Sequence, residues 1–339
     1  MMAPTEILAE QHFLSISELL EGSRVRTVLL SSGVSRECRA KALDGIRTGS
    51  ADIVIGTHSI IQEGVDFHQL NLVIIDEQHR FGVLQRSRLL GKGQHPHVLV
   101  MTATPIPRTI TITLYGDLDI SVLDQMPPGR KPVKTRWYRR KELDKAHRRI
   151  ARCLGRGERV YVVCPLIEAS ADNDLASAVR VMKILDTEVF PEYRAALLHG
   201  RMSTEEKTRV MKGFRSGDIR ILVSTTVIEV GMNVPEATIM MVMDAERFGL
   251  SQLHQLRGRV GRSARPSEMI MISDARNSEA KQRLTIMTET GDGFRIAEED
   301  LKIRGCGQYF GTRQHGRPDF RIGDPLRDYK VMVRARNAA

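Results

Sequence analysis

Short apolar runs alternate with stretches of helical periodicity along most of this 339-residue chain, and this alternation limits the folds open to it. Leu72–Ile75 is apolar at every position, as in a parallel strand buried on both faces, and a burst of polar residues follows it. Val98–Met101 repeats the arrangement. Alternating strands and helices predict an α/β doubly wound fold whose site lies at the carboxyl ends of the strands.

A segment rich in proline, glycine and basic residues, DQMPPGRKP at Asp124–Pro132, divides this pattern into two series. The first series opens on MMAPT, which reads as the end of a loop that passes straight into a helix with no strand before it. Beyond Asp274 the strand pattern stops. We therefore predict a partial first domain over 1–124, a linker over 125–132, a second domain over 133–275 and a C-terminal segment over 276–339.

The charge balance favours a polyanionic partner. Lys and Arg exceed Asp and Glu by 10, and the sequence pI is near 9.7. The four cysteines form no CxxC pair, which indicates neither a zinc site nor a disulfide framework and fits a reducing cytoplasm. No apolar run approaches the roughly 18 residues of a membrane span. Glu6 and Glu10 stand where a signal peptide would be basic.

Two strand ends carry polar groups suited to nucleotide chemistry. Asp76 and Glu77 follow the apolar strand, where Asp76 could hold a hydrated magnesium ion and Glu77 could polarise a water. Thr102 and Thr104 follow the next strand, where hydroxyls could relay a change at the metal. The alternative is structural: carboxylates favoured by a following helix dipole, and threonines that cap a helix.

The stretch SQLHQLRGRVGR at Ser251–Arg262 suggests a phosphate contact. Arg259 and Arg262 stand three residues apart beside two glycines, and Gln255 precedes them. Arginine offers planar, bidentate donors to phosphate oxygens, and glycine lets the backbone approach without a side-chain clash. Taken alone, the motif could equally be a solvated basic turn.

In their order, these pieces resemble the motifs of superfamily two helicases, which lie on two RecA-like domains with ATP bound between them. The matching segments are APTEILA at Ala3–Ala9 (motif Ia), GTHSII at Gly56–Ile61 (Ib), DEQH at Asp76–His79 (II), TATPIPRT at Thr102–Thr109 (III), LLHGRM at Leu197–Met202 (IV), STTVIEVGMNVP at Ser224–Pro235 (V) and QLRGRVGR at Gln255–Arg262 (VI). The resemblance implies two RecA-like parallel-sheet domains, the first incomplete.

A narrower resemblance is to the RecG family of branch-migrating DNA helicases and to the related transcription-repair coupling factors. It rests on DEQHRFG at Asp76–Gly82, on AERFGLSQLHQLRGRVGR and on the segment Gly291–Gly316, which is similar to the TRG translocation motif. GTRQ at Gly311–Gln314 has the RecG form. The resemblance implies a helical hairpin before the TRG-type segment, and an ATP-dependent helicase that translocates on double-stranded DNA and remodels forks and Holliday junctions.

The same resemblance implies ATP and Mg²⁺ as cofactors and a monomeric protein of the cytoplasm and nucleoid, with single-stranded DNA-binding protein as a further partner. It implies catalytic roles for Asp76, Glu77, Arg259 and Arg262, with Asp76 holding the magnesium through water. The implied nucleotide-binding residues are Gln255, Gly231, Asn233, Thr102 and Thr104. The implied DNA-binding or translocation residues are Pro4, Thr5, Glu6, Gly56, Thr57, His58, Thr225, Thr226, Arg304, Arg313 and Gln314.

The sequence departs from the family pattern in three places. No GxxxxGKS or GxxxxGKT occurs, and GKG at Gly91–Gly93 lacks the spacing and the hydroxyl. Asn233 stands where motif V usually has Asp, and RGCGQYFG brings Cys306 and Gln308 into the TRG loop. In the family the P-loop lies just upstream of motif Ia, so we expect the chain to begin after it, without the wedge domain.

The missing P-loop has two expected consequences. The isolated chain should hydrolyse ATP feebly, because nothing cradles the phosphates. The P-loop strand should lie beside the strand that carries Asp76, so its absence should leave unpaired edges in a marginally stable first domain. The alternative functional class is a non-catalytic DNA-binding fragment that contacts phosphates through the tail arginines and Arg24, Arg26, Arg36 and Arg39.

Overall fold

A computed structural model describes residues 1–78, 81–103, 118–165, 171–225 and 234–304, together with 331 and 334. The chain forms two compact units. The first contains Met1–Ala103, and the second contains the described residues from 118 onward. Both units consist of parallel strands connected through helices, so the α/β fold predicted from the sequence is confirmed.

The first unit contains four short strands. Its elements are α1 (Glu6–Leu19), β1 (Thr27–Leu30), α2 (Arg36–Thr48), β2 (Ile53–Gly56), a 3₁₀ turn (His58–Ile61), β3 (Leu72–Ile75), α3 (Val83–Leu90) and β4 (His97–Val100). β1 pairs with β2 and β3 with β4, both in parallel. Helix α3 follows the acidic pair, as in the structural alternative for Asp76 and Glu77, although its bounds were not predicted.

The opening residues are part of the sheet, which corrects the interpretation of MMAPT as a loop. The backbone N–H of Met2 donates to Ile74 O at 2.8 Å, and the N–H of Ala3 donates to Gly56 O at 2.9 Å. Met2 thereby bridges β2 and β3, and its side chain is fully buried. The segment is too short to show a strand period in the sequence, although its apolar character fits a central position.

The position predicted for the P-loop strand is also wrong. Both edges of β3 are occupied, one by Met2 and the other by β4, so no further strand can pair beside it. Among the described residues, β4 pairs only with β3, and Val98 and Leu99 on it are exposed. β1 likewise pairs only with β2 among the described residues, so the unpaired edges of this unit are the outer edges of β1 and β4.

The second unit contains a six-stranded parallel sheet in the order β5-β10-β9-β6-β8-β7. Its elements are β5 (Lys134–Tyr138), α4 (Leu143–Gly155), β6 (Arg159–Val163), α5 (Ala171–Ile184), β7 (Ala195–Leu198), α6 (Thr204–Ser216), β8 (Ile221–Ser224), β9 (Ala237–Val242), α7 (Leu250–Arg257), β10 (Glu268–Ile272), α8 (Ser278–Glu289) and α9 (Gly293–Arg304).

The central strands of this sheet are buried on both faces. Every residue of β6, β8 and β9 is buried, as apolar strands covered by helices require. Helix α4 covers one face through Ala146, Ile150 and Leu154, which recur at helical spacing. The core therefore continues across most of the second unit. No helix among the described residues is both long and apolar enough to span a membrane.

Candidate nucleotide and DNA site

Asp76 and Glu77 lie at the carboxyl end of β3, where the sequence predicts a metal site. The carboxylate of Asp76 accepts a hydrogen bond from the backbone N–H of Glu77 at 2.9 Å, and its side chain is 18% exposed. Glu77 adopts a left-handed backbone with φ of 51°, uncommon for a non-glycine residue, and it is buried. The sharp turn directs two adjacent carboxylates to different surroundings.

Glu77 connects the ends of β3 and β4. Its Oε2 accepts a hydrogen bond from the backbone N–H of Ala103, at 3.4 Å, and the N–H of Gln78 donates to Met101 O at 3.2 Å. Ala103 is the middle residue of the TAT sequence, whose first member, Thr102, is exposed. A movement of the Glu77 carboxylate would therefore alter its hydrogen bond to the backbone of motif III.

Sequence reasoning missed His12. Its ring Nε2 lies 2.9 Å from Asp76 Oδ2, and the two side chains are 26% and 18% exposed. The only signal in the sequence is that His12 recurs at helical spacing with apolar residues of α1 such as Leu8 and Ile16. Carboxylate oxygen suits a hydrated Mg²⁺, so Asp76 fits that ion. Of the two oxygens of Asp76, Oδ2 contacts His12 and Oδ1 accepts from the N–H of Glu77.

The predicted DNA-contacting residues of the first unit lie at the carboxyl ends of the sheet segments. Thr5 caps α1 by accepting from the N–H of Leu8 at 3.3 Å, and Pro4 and Glu6 flank it, half-buried. Gly56 ends β2 where a Cβ would meet Leu30 O at 2.2 Å, so only glycine fits. Of the next two predicted residues, Thr57 is buried and His58 is exposed, so His58 is the better placed for an external ligand.

In the second unit, α7 and the loop after it carry the arginine motif. Arg259 is buried, and Arg262 is exposed, with its Nε donating to Gly258 O at 3.0 Å. Gln255 is half-buried on α7. Gly261 has φ of 71°, and a Cβ there would lie 2.5 Å from Val133 Cγ2. Although Arg262 is partly exposed to solvent, desolvation by the surrounding chain, and next repulsion from Arg130, lower its pKa.

The linker contacts this loop. Arg130 donates from Nε to Gly261 O at 2.8 Å. Residues 118–132 belong to the second unit, which also contains the Gly261 loop that Arg130 contacts. The domain boundaries drawn from the sequence remain a prediction. Thr225, a predicted DNA contact, follows the carboxyl end of β8. It is buried, and its N–H donates to Leu198 O at 3.4 Å.

Several predicted site residues fall outside the described part of the chain. Arg304 ends α9, and its side chain is not described. The others are Thr104, Thr226, Gly231, Asn233, Arg313 and Gln314, together with the departures at Cys306 and Gln308.

Three family models match the chain in succession. They are the DEAD/DEAH box helicase over residues 1–112, the helicase conserved C-terminal domain over 142–264, and ATP-dependent DNA helicase RecG, domain 3, C-terminal, over 290–339. A relative from Streptococcus pneumoniae serotype 4, ATP-dependent DNA helicase RecG, is 50% identical across the whole chain, and one from Bacillus subtilis of the same name is 48% identical. The chain belongs to the RecG family. It spans about half the length of these curated relatives, 50% of each.

Solved structures agree with the RecG-family assignment. A RecG bound to a three-way DNA junction is 44% identical to this chain, with a TM-score of 0.76. The match covers 98% of this chain and 43% of the other. The Mycobacterium smegmatis helicase Lhr, 15% identical, has a TM-score of 0.60 over 84% of this chain and 42% of its own, and it supports the fold alone. Both units are therefore RecA-like, as the resemblance implied.

Arg257, in the arginine motif, connects α7 to the C-terminal hairpin of α8 and α9. Its guanidinium is buried and donates to Thr290 O at 2.7 Å, Gly291 O at 3.1 Å and Met287 O at 3.4 Å. Burial lowers the pKa of Arg257 to about 10, so it remains charged at neutral pH. The carbonyl oxygens at the carboxyl end of α8 have no helical N–H partners, and the Arg257 guanidinium donates to them instead.

A second contact joins the same elements. The hydroxyl of Ser251, at the start of α7, donates to the buried carboxylate of Asp300 on α9 at 3.0 Å. Two polar links, one at each end of α7, thus hold the helix against the hairpin. Movement of α7 is expected to carry α8 and α9 with it.

Proposed function

We propose that this chain is the motor portion of an ATP-dependent helicase that translocates on double-stranded DNA and remodels replication forks and Holliday junctions. Family membership supports the class of activity, and a relative is known bound to a three-way junction. The single observation that carries the motor assignment is the double link from α7 to the hairpin through Arg257 and Ser251. In a motor, the helix that contacts the nucleotide must be joined to the element that moves along DNA. Here these are α7 and the hairpin of α8 and α9.

The residue roles we propose are those that the family resemblance implies. Bound Mg²⁺ would neutralise charge on the phosphates of ATP, with Asp76 holding it through water. Glu77, buried and anchored by the N–H of Ala103, orients the attacking water and transmits its state to motif III. Arg259 and Arg262 approach the γ-phosphate as arginine fingers, a contribution that is large in phosphoryl transfer. The residues of motifs Ia and Ib contact the DNA backbone.

Branched double-stranded DNA is the partner we propose, with single-stranded DNA-binding protein as a further one and a monomer as the working state. A place in the cytoplasm beside the nucleoid follows from that partner. The roles of Arg304, Arg313 and Gln314 in translocation are proposed from the TRG resemblance alone, as are those of Gly231, Asn233, Thr104 and Thr226.

A segment exchange tests the function. This chain replaces the aligned segment of the Streptococcus pneumoniae relative, which supplies the remaining half, and DNA-stimulated ATP hydrolysis and junction unwinding are measured. We expect an active hybrid, and Glu77→Gln in it should slow hydrolysis by about 100-fold or more because the water loses its general base. Glu18→Gln removes an exposed carboxylate of α1 and serves as the control. A hybrid that folds and binds DNA yet shows no DNA-stimulated hydrolysis would refute the motor assignment.

The second candidate is a DNA-binding fragment without turnover, which the exposed arginines Arg24, Arg26 and Arg36 favour as phosphate contacts. Assays of the 339-residue chain alone bear on it. We expect DNA binding without DNA-stimulated hydrolysis, because no P-loop amides cradle the phosphates. DNA-stimulated hydrolysis by the isolated chain that Glu77→Gln abolishes would contradict this expectation. A transcription-repair coupling factor-like translocase is less well supported, since the C-terminal model that matches is that of RecG.

A further inference from the structure

Two contacts join Asp76 to a single stretch of chain at the start of the first unit. The backbone N–H of Asp76 donates to Met2 O at 3.0 Å, and its Oδ2 lies 2.9 Å from Nε2 of His12. The residues between these two contacts include Ala3–Ala9, the segment that resembles motif Ia. The carboxylate suited to magnesium is therefore attached to the segment proposed to contact DNA, both before and after that segment.

Helix α1 fixes the position of His12. Leu8 is buried and Ile16 is partly buried, and both belong to the apolar cluster that packs α1 against β2. His12 lies between them, one turn from each, so its ring is on the same face of the helix. Thr5 caps the helix seven residues earlier, roughly 10 Å along the axis. The helix thus connects its DNA-contacting end to His12 at a fixed distance.

The contact with His12 helps to fix the orientation of the Asp76 carboxylate. A carboxylate accepts hydrogen bonds, so Nε2 of His12 is the donor to Oδ2. Oδ1 accepts from the backbone N–H of Glu77 at 2.9 Å. With a donor on each oxygen, rotation of the carboxylate breaks a hydrogen bond. Each oxygen keeps a second lone pair that can accept from a water ligand of hydrated magnesium.

We propose that His12 is a positioning residue that holds the Asp76 carboxylate in the orientation that accepts the water ligands of magnesium. Removal of a group that hydrogen-bonds to a metal-binding carboxylate lowers metal affinity by about 10- to 100-fold. Because α1 begins within motif Ia, a DNA contact that shifts α1 also shifts the donor to Oδ2. The proposal rests on the proposed function and connects its DNA contacts to its magnesium site.

The test measures binding of a fluorescent, non-hydrolysable ATP analogue as MgCl₂ is added, so the readout does not depend on turnover. The protein is the hybrid in which the Streptococcus pneumoniae relative supplies the remaining half. His12→Ala is compared with the unaltered hybrid and with the control Glu10→Gln, which removes an exposed charge from α1. We expect His12→Ala to raise the half-saturating Mg²⁺ concentration about tenfold, and the control to leave it unchanged.

Two further variants separate positioning from a purely structural role. His12→Gln offers an amide N–H at a similar reach, so its half-saturating Mg²⁺ concentration should stay within about twofold of that of the unaltered hybrid. In an Asp76→Ala background, His12→Ala should have no further effect, because the two residues act as a unit. Loss in His12→Gln equal to that in His12→Ala, or an added loss in the Asp76→Ala background, would overturn the proposal. Thermal unfolding verifies that each variant is folded.

The same titration in the presence of saturating linear duplex tests the connection to motif Ia. Binding of DNA and binding of the magnesium–nucleotide complex are coupled only if each changes the affinity for the other. We expect duplex to change the half-saturating Mg²⁺ concentration of the unaltered hybrid by at least about fivefold, and that of His12→Ala by less than about twofold. Equal changes in the two proteins, or no change in either, would overturn the connection.

The 339-residue chain alone gives an independent check. Because the N–H of Glu77 donates to Oδ1 of Asp76, its hydrogen exchange should be at least about threefold faster in His12→Ala than in wild type or Glu10→Gln. Unchanged exchange would show that His12 does not hold the carboxylate.

Failure of this proposal is distinguishable from failure of the proposed function. If the hybrid shows DNA-stimulated hydrolysis and His12→Ala leaves its Mg²⁺ dependence unaltered, His12 is only a structural contact and the motor assignment stands. A hybrid that folds and binds DNA yet shows no DNA-stimulated hydrolysis overturns both.

Discussion

At the scale of single residues, burial decides which ionisable groups stay neutral. His254 lies on α7, between two leucines that are buried in the core of the second unit. Desolvation, and next repulsion from Arg257, lower its pKa from 6.5 to about 4, against a smaller opposing effect of Asp292. The imidazole is therefore neutral at physiological pH.

His254 makes the stability of the second unit depend on pH. The unfolded chain binds a proton at His254 below pH 6.5, whereas the folded chain resists it until about pH 4, so the free energy of unfolding falls as the pH falls between these values. Between pH 7 and pH 5 the wild type should lose about 2 kcal/mol more than His254→Gln, which cannot titrate. Denaturant unfolding at both pH values measures the difference. Parallel losses in the two proteins would show that His254 is solvated.

Residue identity alone could predict part of the site. Asp76 and Glu77 were predicted at a strand end because an apolar run precedes them, and they lie there. The contact of His12 with Asp76 joins residues 64 positions apart, and the pair of Arg149 with Glu268 joins residues 119 apart. Such partners depend on tertiary packing, which no local pattern encodes.

At the scale of elements, uniformly apolar runs were predicted well and mixed segments were not. β3 has the predicted bounds, Leu72–Ile75, because it is an apolar run that polar residues follow. The bounds of α3 were not predicted, and the bridging residue Met2 was interpreted as part of a loop, since neither segment shows enough residues of one period. α9 became expected only through the family resemblance.

The attachment of α7 to the hairpin gives a prediction at this scale. Arg257→Lys keeps the charge but cannot reach three carbonyl oxygens at once, so α8 and α9 should open more readily, at a cost of about 2 kcal/mol or more. Hydrogen exchange should show faster exchange confined to Ser278–Glu289 and Gly293–Arg304. Arg295→Lys, an exposed change on α9, should leave exchange unaltered. Unchanged protection in Arg257→Lys would mean that apolar packing alone holds the hairpin.

At the scale of the whole molecule, the two units differ in how completely their sheets are built. The second unit has six paired strands around one continuous core, whereas the first has four short strands and an outer edge of β4 that no described strand covers. Fewer buried contacts predict lower local stability.

Hydrogen exchange of the intact chain checks the difference between the units. Amides of β3 and β4 should exchange markedly faster than those of β6 and β9, since local opening of the first unit costs less free energy. Amides of β6 and β9 should report global unfolding of the second unit. Equal protection of the two sets would contradict the account of an incomplete first sheet.

Binding of branched DNA is the property on which the proposed function depends, and its salt dependence separates it from adventitious attraction to a chain of net charge +10. The direct measurement is a salt titration of the 339-residue chain against linear duplex, fork and four-way junction. We predict tighter binding to fork and junction than to duplex at every salt concentration, with a linear fall of log affinity with log salt. Equal affinity for all three DNAs would contradict the assignment to a motor that acts on branched DNA.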